Sequence, residues 1–494
     1  MSPDTIARWQ FGITTVYHFL FVPITIAMSV LTAVLQSLWN KTGNDAYLRL
    51  TKFFGRLFLI NFAMGVVTGI VQEFQFGMNW SEYSRFVGDI FGAPLALEAL
   101  IAFFLESTFI GMWIFGWDRL SKKVHLASIW LAAIGTFISS IFIIAANAWM
   151  QNPTGAKFNP EVGRAELVSL LDVILNPVFL TQWPHTIAAS FVTAGAFMAG
   201  IAVYLLIKKN KEGVKDADLV AYRKGVKLGA WVLIVAGVGV ILTGDFLGKE
   251  MVTYQPAKMA AAENIQTAPE AGKAAFQIIP GVEVFPGLVN FLYGSEKVPS
   301  IPEVEASFAS DGYQIWDKDA GTFASPDNTL QTEFAASLKA VIAQGDVKAV
   351  PSVGVSFWSF RLMIGIGCLA ILGGIVLLVV TRKNKIPNPN PFWTCFAVAL
   401  PLLPLIANSF GWILTEMGRQ PYIVNGVMPT LQGLSPITVV PVWSVTLSLI
   451  LYTLVYGVLA VIEVGLLLKY IKMGLPDDVT VSVKDEAEPL SFAY

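Results

Sequence analysis

Long apolar runs dominate the pattern of this chain. Windows of about 20 residues with few charges, the length at which a helix crosses a bilayer, occur at about 12–38, 53–77, 93–117, 125–149, 184–207, 226–247, 357–381, 392–414 and 441–468. They predict an all-α integral membrane protein with nine transmembrane helices. The opening MSPDTIARWQ has neither a basic n-region nor a small-residue cleavage site, so the first run reads as a retained helix and not a signal peptide. Lys and Arg collect in alternate connections, sixteen in one set and five in the other. By the positive-inside rule this puts the N-terminus outside and the C-terminus in the cytoplasm.

One connection is far longer than the rest. Between the sixth and seventh runs, from Gly248 to Ser356, about 100 residues are rich in proline and acid. By the same charge count this loop lies outside, and a loop of such length is usually functional or disordered. Two stretches within it, PAKMAAAENIQ and TLQTEFAASLKAVIAQ, read as helices, and the whole is a candidate lid over a substrate site. The expected organisation is 1–247 with six helices, 248–356 as external loop, 357–468 with three helices, and 469–494 as cytoplasmic tail. No internal repeat or pair of matched broken helices of the secondary-transporter kind is visible.

Composition narrows the function classes. Of 494 residues 55% are hydrophobic and 14% charged, well below the roughly 25% charged of soluble domains. Net charge is −2, so nucleic acid is not a partner. Two cysteines, Cys368 and Cys395, cannot build a disulfide framework or a Cys-rich metal centre. Three histidines are present: His18, His125 and His185.

Charged and imidazole groups within spans are costly and usually have a task. His18, Glu98, His185, Arg361, Met363 and Glu416 all fall toward the outer ends of their helices, as expected of a prosthetic-group layer near one face. A lone histidine on an apolar helix is commonly a satisfied core residue, and Met363 alone is a packing residue. Together, an imidazole and a thioether at one depth suit the axial pair of a six-coordinate haem. Arg361 suits a propionate or, equally, a snorkelling contact with headgroups. Glu98 and Glu106, eight residues apart, lie about 12 Å apart along a regular helix and about 80° apart around it. They are either stations of a proton path or two independent buried acids. His125, beside Lys122 and Lys123, reads as an interfacial residue that tolerates substitution.

The stretches RWQFGITTVYHFLFVP (8–23), EFQFGMNWSEYSRFVGDIFGAPLALEALIAFFLESTF (73–109), WMQNP (149–153), GDFLGKEM (244–251), FRLM (360–363) and GWILTEMGRQP (411–421) resemble subunit I of cytochrome bd-type quinol oxidases. The resemblance covers nearly the whole membrane part. It implies a terminal respiratory oxidase that oxidises membrane quinol at the outer face and reduces O2 to water, taking protons from the cytoplasm and building a gradient without pumping. The implied cofactors are a low-spin haem b, a high-spin haem b, and haem d or a further haem b.

Position by position, the resemblance makes His185 and Met363 the axial ligands of the low-spin haem b. It makes His18 and Glu416 ligands of the high-spin haems, with the haem each one holds left open. Glu98 matches an acid beside those haems, Glu106 one on the cytoplasmic proton path with Ser139 or Ser140 as further candidates, and Arg361 a neighbour of the low-spin haem. Arg419 and Trp412 belong to the Glu416 motif, and Lys258 and Glu263 match positions linked to quinol oxidation. Five residues apart on one short helix, those two need not face each other. The loop resembles the family's short quinol-loop type and has no cysteine, hence no loop disulfide. Implied partners are a homologous subunit II, a small single-helix subunit, quinol and O2, in a bacterial cell membrane. The alternative function is a proton-coupled transporter or channel without haem; a non-catalytic membrane anchor is a weaker one.

Overall fold

Helices form along the apolar runs, and their interruptions trace to specific residues. The computed structural model describes residues 3–214, 216–343 and 347–476. Among them, nine helical segments are long and apolar enough to cross a membrane. Of the expected tail, 469–494, the first residues to Met473 continue the last helix, and the part beyond Pro476 lies outside the described residues. The first span is broken into α1 (Pro3–Phe19) and α2 (Val22–Thr42). Pro23 explains the break: it has no N–H for the carbonyl four residues back, so the chain leaves the helix just after His18. Asn61 of the next span braces the break, its Nδ2 donating to the Phe21 carbonyl at 2.8 Å and to Thr25 Oγ1 at 2.8 Å.

The second span is α3 (Asp45–Met78). The third is α4 (Ser81–Leu97) and α5 (Phe104–Phe115), joined by a π-helical turn over Glu98–Phe103. Then follow α6 (Lys122–Gln151), the hairpin β1 (Ala156–Asn159) and β2 (Arg164–Leu167), the short α7 (Leu170–Ile174), α8 (Pro177–Glu212) and α9 (Asp216–Tyr254). Helix α9 runs past the expected end of the sixth span. Lys249 does not stop it because its Nζ pairs one turn back with Asp245 at 2.6 Å, so the long connection starts at Gln255.

That connection is ordered throughout its described length. It holds α10 (Pro256–Glu263), the hairpin β3 (Phe276–Ile279) and β4 (Val282–Val284), α11 (Leu288–Tyr293), α12 (Ile301–Asp311), the hairpin β5 (Ile315–Asp317) and β6 (Thr322–Ala324), and α13 (Thr329–Ala343). Both stretches that read as helices from sequence are helices, α10 and α13. The last spans are α14 (Val353–Val380), α15 (Pro391–Gly418) and α16 (Val442–Met473), with the hairpin β7 (Tyr422–Val424) and β8 (Met428–Pro429) before α16. All four hairpins and the long connection lie at one end of the bundle, hereafter the loop face.

Helix α8 is the central post, with 89% of its most apolar window buried. It packs against α9 nearly backbone to backbone: a Cβ on Gly195 would stand 2.6 Å from the Leu233 nitrogen, and one on Gly229 2.6 Å from the Ala199 nitrogen. Small residues of this kind let membrane helices approach where no hydrophobic force drives them together.

His125 departs from the sequence reading. It is buried, 3% exposed, not interfacial, and both ring nitrogens are engaged: Nε2 donates to the Trp113 carbonyl at 2.8 Å, and Nδ1 accepts from Gln36 Nε2 at 2.8 Å. Gln36 in turn accepts from Trp113 Nε1 at 2.7 Å. The ring ties α2, α5 and α6 together. Removing it strands a buried amide and a buried carbonyl, at a cost of about 1–3 kcal/mol for each unsatisfied group. His125→Ala is therefore expected to lower thermal stability in detergent by about 2 kcal/mol or more; an unchanged melting transition would return His125 to the tolerant class.

Candidate functional site

His18 and His185 are held alike. His18 Nδ1 lies 2.8 Å from Thr68 Oγ1, and that hydroxyl donates to the Met64 carbonyl at 2.9 Å in its own helix. His185 Nδ1 lies 3.2 Å from Thr243 Oγ1, whose proton goes to the Gly239 carbonyl at 2.7 Å. A hydroxyl has one proton to give, and in both threonines it is spent on the backbone. With the hydroxyl proton on the helix carbonyl, each threonine oxygen accepts from Nδ1–H, the tautomer that leaves the Nε2 lone pair free, as a metal-binding imidazole needs. His125, with Nε2 committed to a carbonyl, has no such lone pair.

The candidate ligand side chains also meet glycine on the neighbouring helix. A Cβ on Gly69 would lie 3.2 Å from His18 Cε1, one on Gly244 3.2 Å from His185 Cε1, and one on Gly411 3.1 Å from Met363 Sδ. Any larger residue would push these groups out of place.

Glu416, near the end of α15, accepts from Asn147 Nδ2 at 3.0 Å and pairs with Arg419. A carboxylate has about four lone-pair sites, so capacity for iron remains. Arg419 is 4% exposed, and its Nε and Nη1 are buried without a hydrogen-bond partner. Two orphaned cationic donors beside Glu416 suit an acidic group such as a haem propionate. Trp412, one turn back, packs edge-on against Phe19 at 4.7 Å, which brings the helix end carrying His18 to α15. An amide ladder continues from Asn147: Gln151 Nε2 donates to Asn147 Oδ1 at 3.0 Å, and Gln255 Nε2 to Gln151 Oε1 at 3.0 Å. It reaches the first residue of the long connection.

Glu98 and Glu106 both face α6. Ser139 donates to Glu98 at 2.8 Å and Thr136 to Glu106 at 2.7 Å. A regular helix would turn them about 80° apart. The π turn between them inserts one residue, worth about 100° of phase, and realigns them on one helix. Ser140 is not part of this pair: its hydroxyl donates to the Phe137 carbonyl and accepts from Trp183. The second hydroxyl is that of Thr136, which the sequence reading missed because the inserted π residue leaves no mark in the pattern.

Helix α10 lies across the ends of α14 and α15, and its two functional side chains diverge. Lys258 points to α15, its Nζ donating to the Thr415 carbonyl at 3.3 Å. Burial first, and then the Arg419 charge, push its ammonium down to about 7. Glu263 is fully buried and points to α14, where Arg361 Nη2 meets it at 2.5 Å. Burial pushes this carboxyl up, against the opposing pull of Arg361 and two hydrogen bonds.

Arg361 is a brace, not a spare cation for a propionate. It also donates to the Gln277 carbonyl at 2.7 Å and the Ala262 carbonyl at 3.0 Å, between the rings of Phe276 at 4.1 Å and Phe357 at 4.5 Å. Tyr293, which carries no sequence signal, donates to the other Glu263 oxygen at 2.8 Å. Glu463 in α16 is not among the residues singled out from sequence. It is a half-buried membrane acid whose charge bears on the Tyr17 hydroxyl.

Residues 6–475 match the family model described as Cytochrome bd terminal oxidase subunit I. The chain is 40% identical over 493 residues to the cytochrome bd ubiquinol oxidase subunit 1 of Bacillus subtilis (strain 168), covering 99% of this chain and 98% of the relative. It is 35% identical to the cytochrome bd-II ubiquinol oxidase subunit 1 of Escherichia coli (strain K12), covering 95% and 96%. The bd oxidase structure from Geobacillus thermodenitrificans superposes with a TM-score of 0.77 at 24% identity, over 95% of this chain and 98% of that one, a likeness of fold. With a family match along almost its whole length and relatives this similar, the chain belongs to the cytochrome bd terminal oxidase subunit I family.

Proposed function

We propose that this chain is the quinol-oxidising, haem-bearing subunit of a bacterial membrane quinol:oxygen oxidoreductase, with its loop face outward. Family membership supports the enzyme class and the multi-pass bacterial membrane location. The finer reading is carried by one observation above all: two threonines with committed hydroxyls hold both His18 and His185 with Nε2 free. His185 and Met363 hold a low-spin haem b; His18 and Glu416 hold the high-spin haems, one b and one d or a further b. When bound, these groups supply electron transfer and the iron at which O2 is reduced to water.

The chain's own residues bind, orient and move protons. Arg419 offers Nε and Nη1 to a propionate, and the Trp412–Phe19 contact keeps water from the Glu416 side. Lys258, poised near neutrality, and Glu263 receive quinol under α10, and Glu263 takes its proton. Glu106 and Glu98, each held by a hydroxyl of α6, carry protons inward from the cytoplasmic face. Protons released at the loop face and consumed from the opposite one build a gradient without a pump. A homologous subunit II and a small single-helix subunit complete the assembly.

The test is a reduced-minus-oxidised spectrum and quinol oxidase assay of the purified assembly. Haem-free protein would overturn the reading in favour of a transporter, and a red-shifted chlorin band would identify haem d. His185→Ala and Met363→Leu should each remove the low-spin signal and quinol-driven turnover while the bundle still folds; an unaltered spectrum rejects those ligands. Thr243→Val should weaken haem retention roughly 10–100-fold, the usual cost of losing such an outer partner, as titrated by haem release. For Glu106→Gln, O2 reduction should slow on the order of 10²-fold with haem content intact, and normal turnover would remove Glu106 from the path.

A further inference from the structure

Among the described residues, two side chains hydrogen-bond the Glu263 carboxylate, and they differ in kind. Arg361 holds one oxygen at 2.5 Å, and a guanidinium does not give up its proton in proteins. Tyr293 holds the other at 2.8 Å through a hydroxyl, a group that can pass a proton through. Tyr293 is itself buried, 3% exposed, and its ring rests on α9 at Gly248, where an added Cβ would stand 3.1 Å from Cε1. Gly248 sits between Asp245 and Lys249, an ion pair at 2.6 Å whose side chains are 32% and 33% exposed. The Asp245 charge bears on the tyrosine hydroxyl. A line therefore runs from a buried carboxylate, through one hydroxyl, to a partly exposed ion pair.

We propose that Tyr293 is the outlet for the quinol proton, a positioning residue that relays it from Glu263 to the Asp245–Lys249 rim. The inference rests on the reading of Glu263 as the proton acceptor. A quinol O–H bond breaks and its proton joins Glu263, while the electrons leave by the established reaction. The Tyr293 hydroxyl turns its own proton toward water at Asp245, accepts the proton held by Glu263, and releases the first to the rim. The hydroxyl then turns back to a deprotonated Glu263, so one proton has moved outward and no residue of the chain has been oxidised. Burial, with the Glu263 charge, holds the tyrosine hydroxyl well above its ordinary range, so the relay is exchange through a neutral hydroxyl and involves no tyrosinate. Gly248, inside the GDFLGKEM stretch, gains a role: it makes room for the relaying ring.

The test uses the complete oxidase with Tyr293→Phe, Asp245→Asn and Glu263→Gln. Activity is measured with quinol and with an artificial one-electron donor that bypasses the quinol site, alongside infrared difference spectra of the carboxyl region. For Tyr293→Phe, kcat on quinol should fall at least about tenfold, toward the lower range of proton-transfer contributions. KM and activity with the artificial donor should hold, and the carboxyl band that Glu263→Gln abolishes should shift. Asp245→Asn, a near-isosteric change at a partly exposed position, should lower the same kcat and keeps the proposal testable if Tyr293→Phe fails to assemble. A normal kcat in either variant overturns the outlet, as does a loss confined to KM. Full quinol activity in Glu263→Gln instead overturns the acceptor reading on which it rests.

Discussion

A polar group buried where lipid excludes water must be answered by protein, because each unanswered one costs several kcal/mol. That constraint organises this molecule. The answers come mostly from hydroxyls and amides on neighbouring helices, whose own commitments set the chemistry of the group they hold. Thr68 and Thr243 show it best: each spends its proton on the preceding turn of its helix and is left as a pure acceptor. The imidazole opposite then has one tautomer open to it. The α-helical backbone thus dictates which nitrogen faces the bundle interior, two bonds removed from the ligand itself.

The same constraint makes the long connection part of the site and not a cover over it. Arg361 on α14 would be an expensive cation without Glu263, and Glu263 an expensive anion without Arg361, since removing either partner of a buried pair costs about 3–5 kcal/mol. With two loop carbonyls and two flanking aromatic rings also engaged, the guanidinium fixes α10 to the start of α14, two residues from Met363. Lys258, at the other end of α10, reaches the backbone next to Glu416. One short helix therefore touches the two helices that carry the candidate ligands Met363 and Glu416.

What could be read from sequence divides along physical lines. The nine spans are legible because a bilayer demands about 20 apolar residues from each, and the imidazoles and Glu416 stand out because such groups are rare in those runs, whereas Met363, one of several methionines there, reads alone as a packing residue. Phase was not legible. The π turn at Glu98–Phe103 shifts Glu106 by about one residue, and only the structure reveals that both acids meet α6 through Ser139 and Thr136. Long-range pairing was equally hidden. His125 looked interfacial from the lysines beside it, whereas Gln36, 89 residues away in sequence, makes it structural. Arg361 is legible as a charge in a span but not as a brace, because Glu263 lies 98 residues off and the pattern that marks α10 as a helix does not tell what it docks against.

The glycines opposite His18, His185 and Met363 carry the argument one step further. A metal ligand must be held to within a few tenths of an ångström, and hydrogen bonds fix an imidazole's rotation about its Nδ1 contact but not its distance from the next helix. Gly69, Gly244 and Gly411 leave room for that distance, since an added Cβ would stand 3.2, 3.2 and 3.1 Å from the candidate ligand side chains, tighter than ordinary packing. Met363 depends on this most: a thioether has no strong hydrogen bond to orient it, and its three rotatable bonds leave its position to packing alone. Where a histidine is steered by a threonine and spaced by a glycine, the methionine has only the spacing. The Gly-Trp pair at 411–412 thus touches both neighbouring helices, Gly411 facing Met363 and Trp412 packing against Phe19.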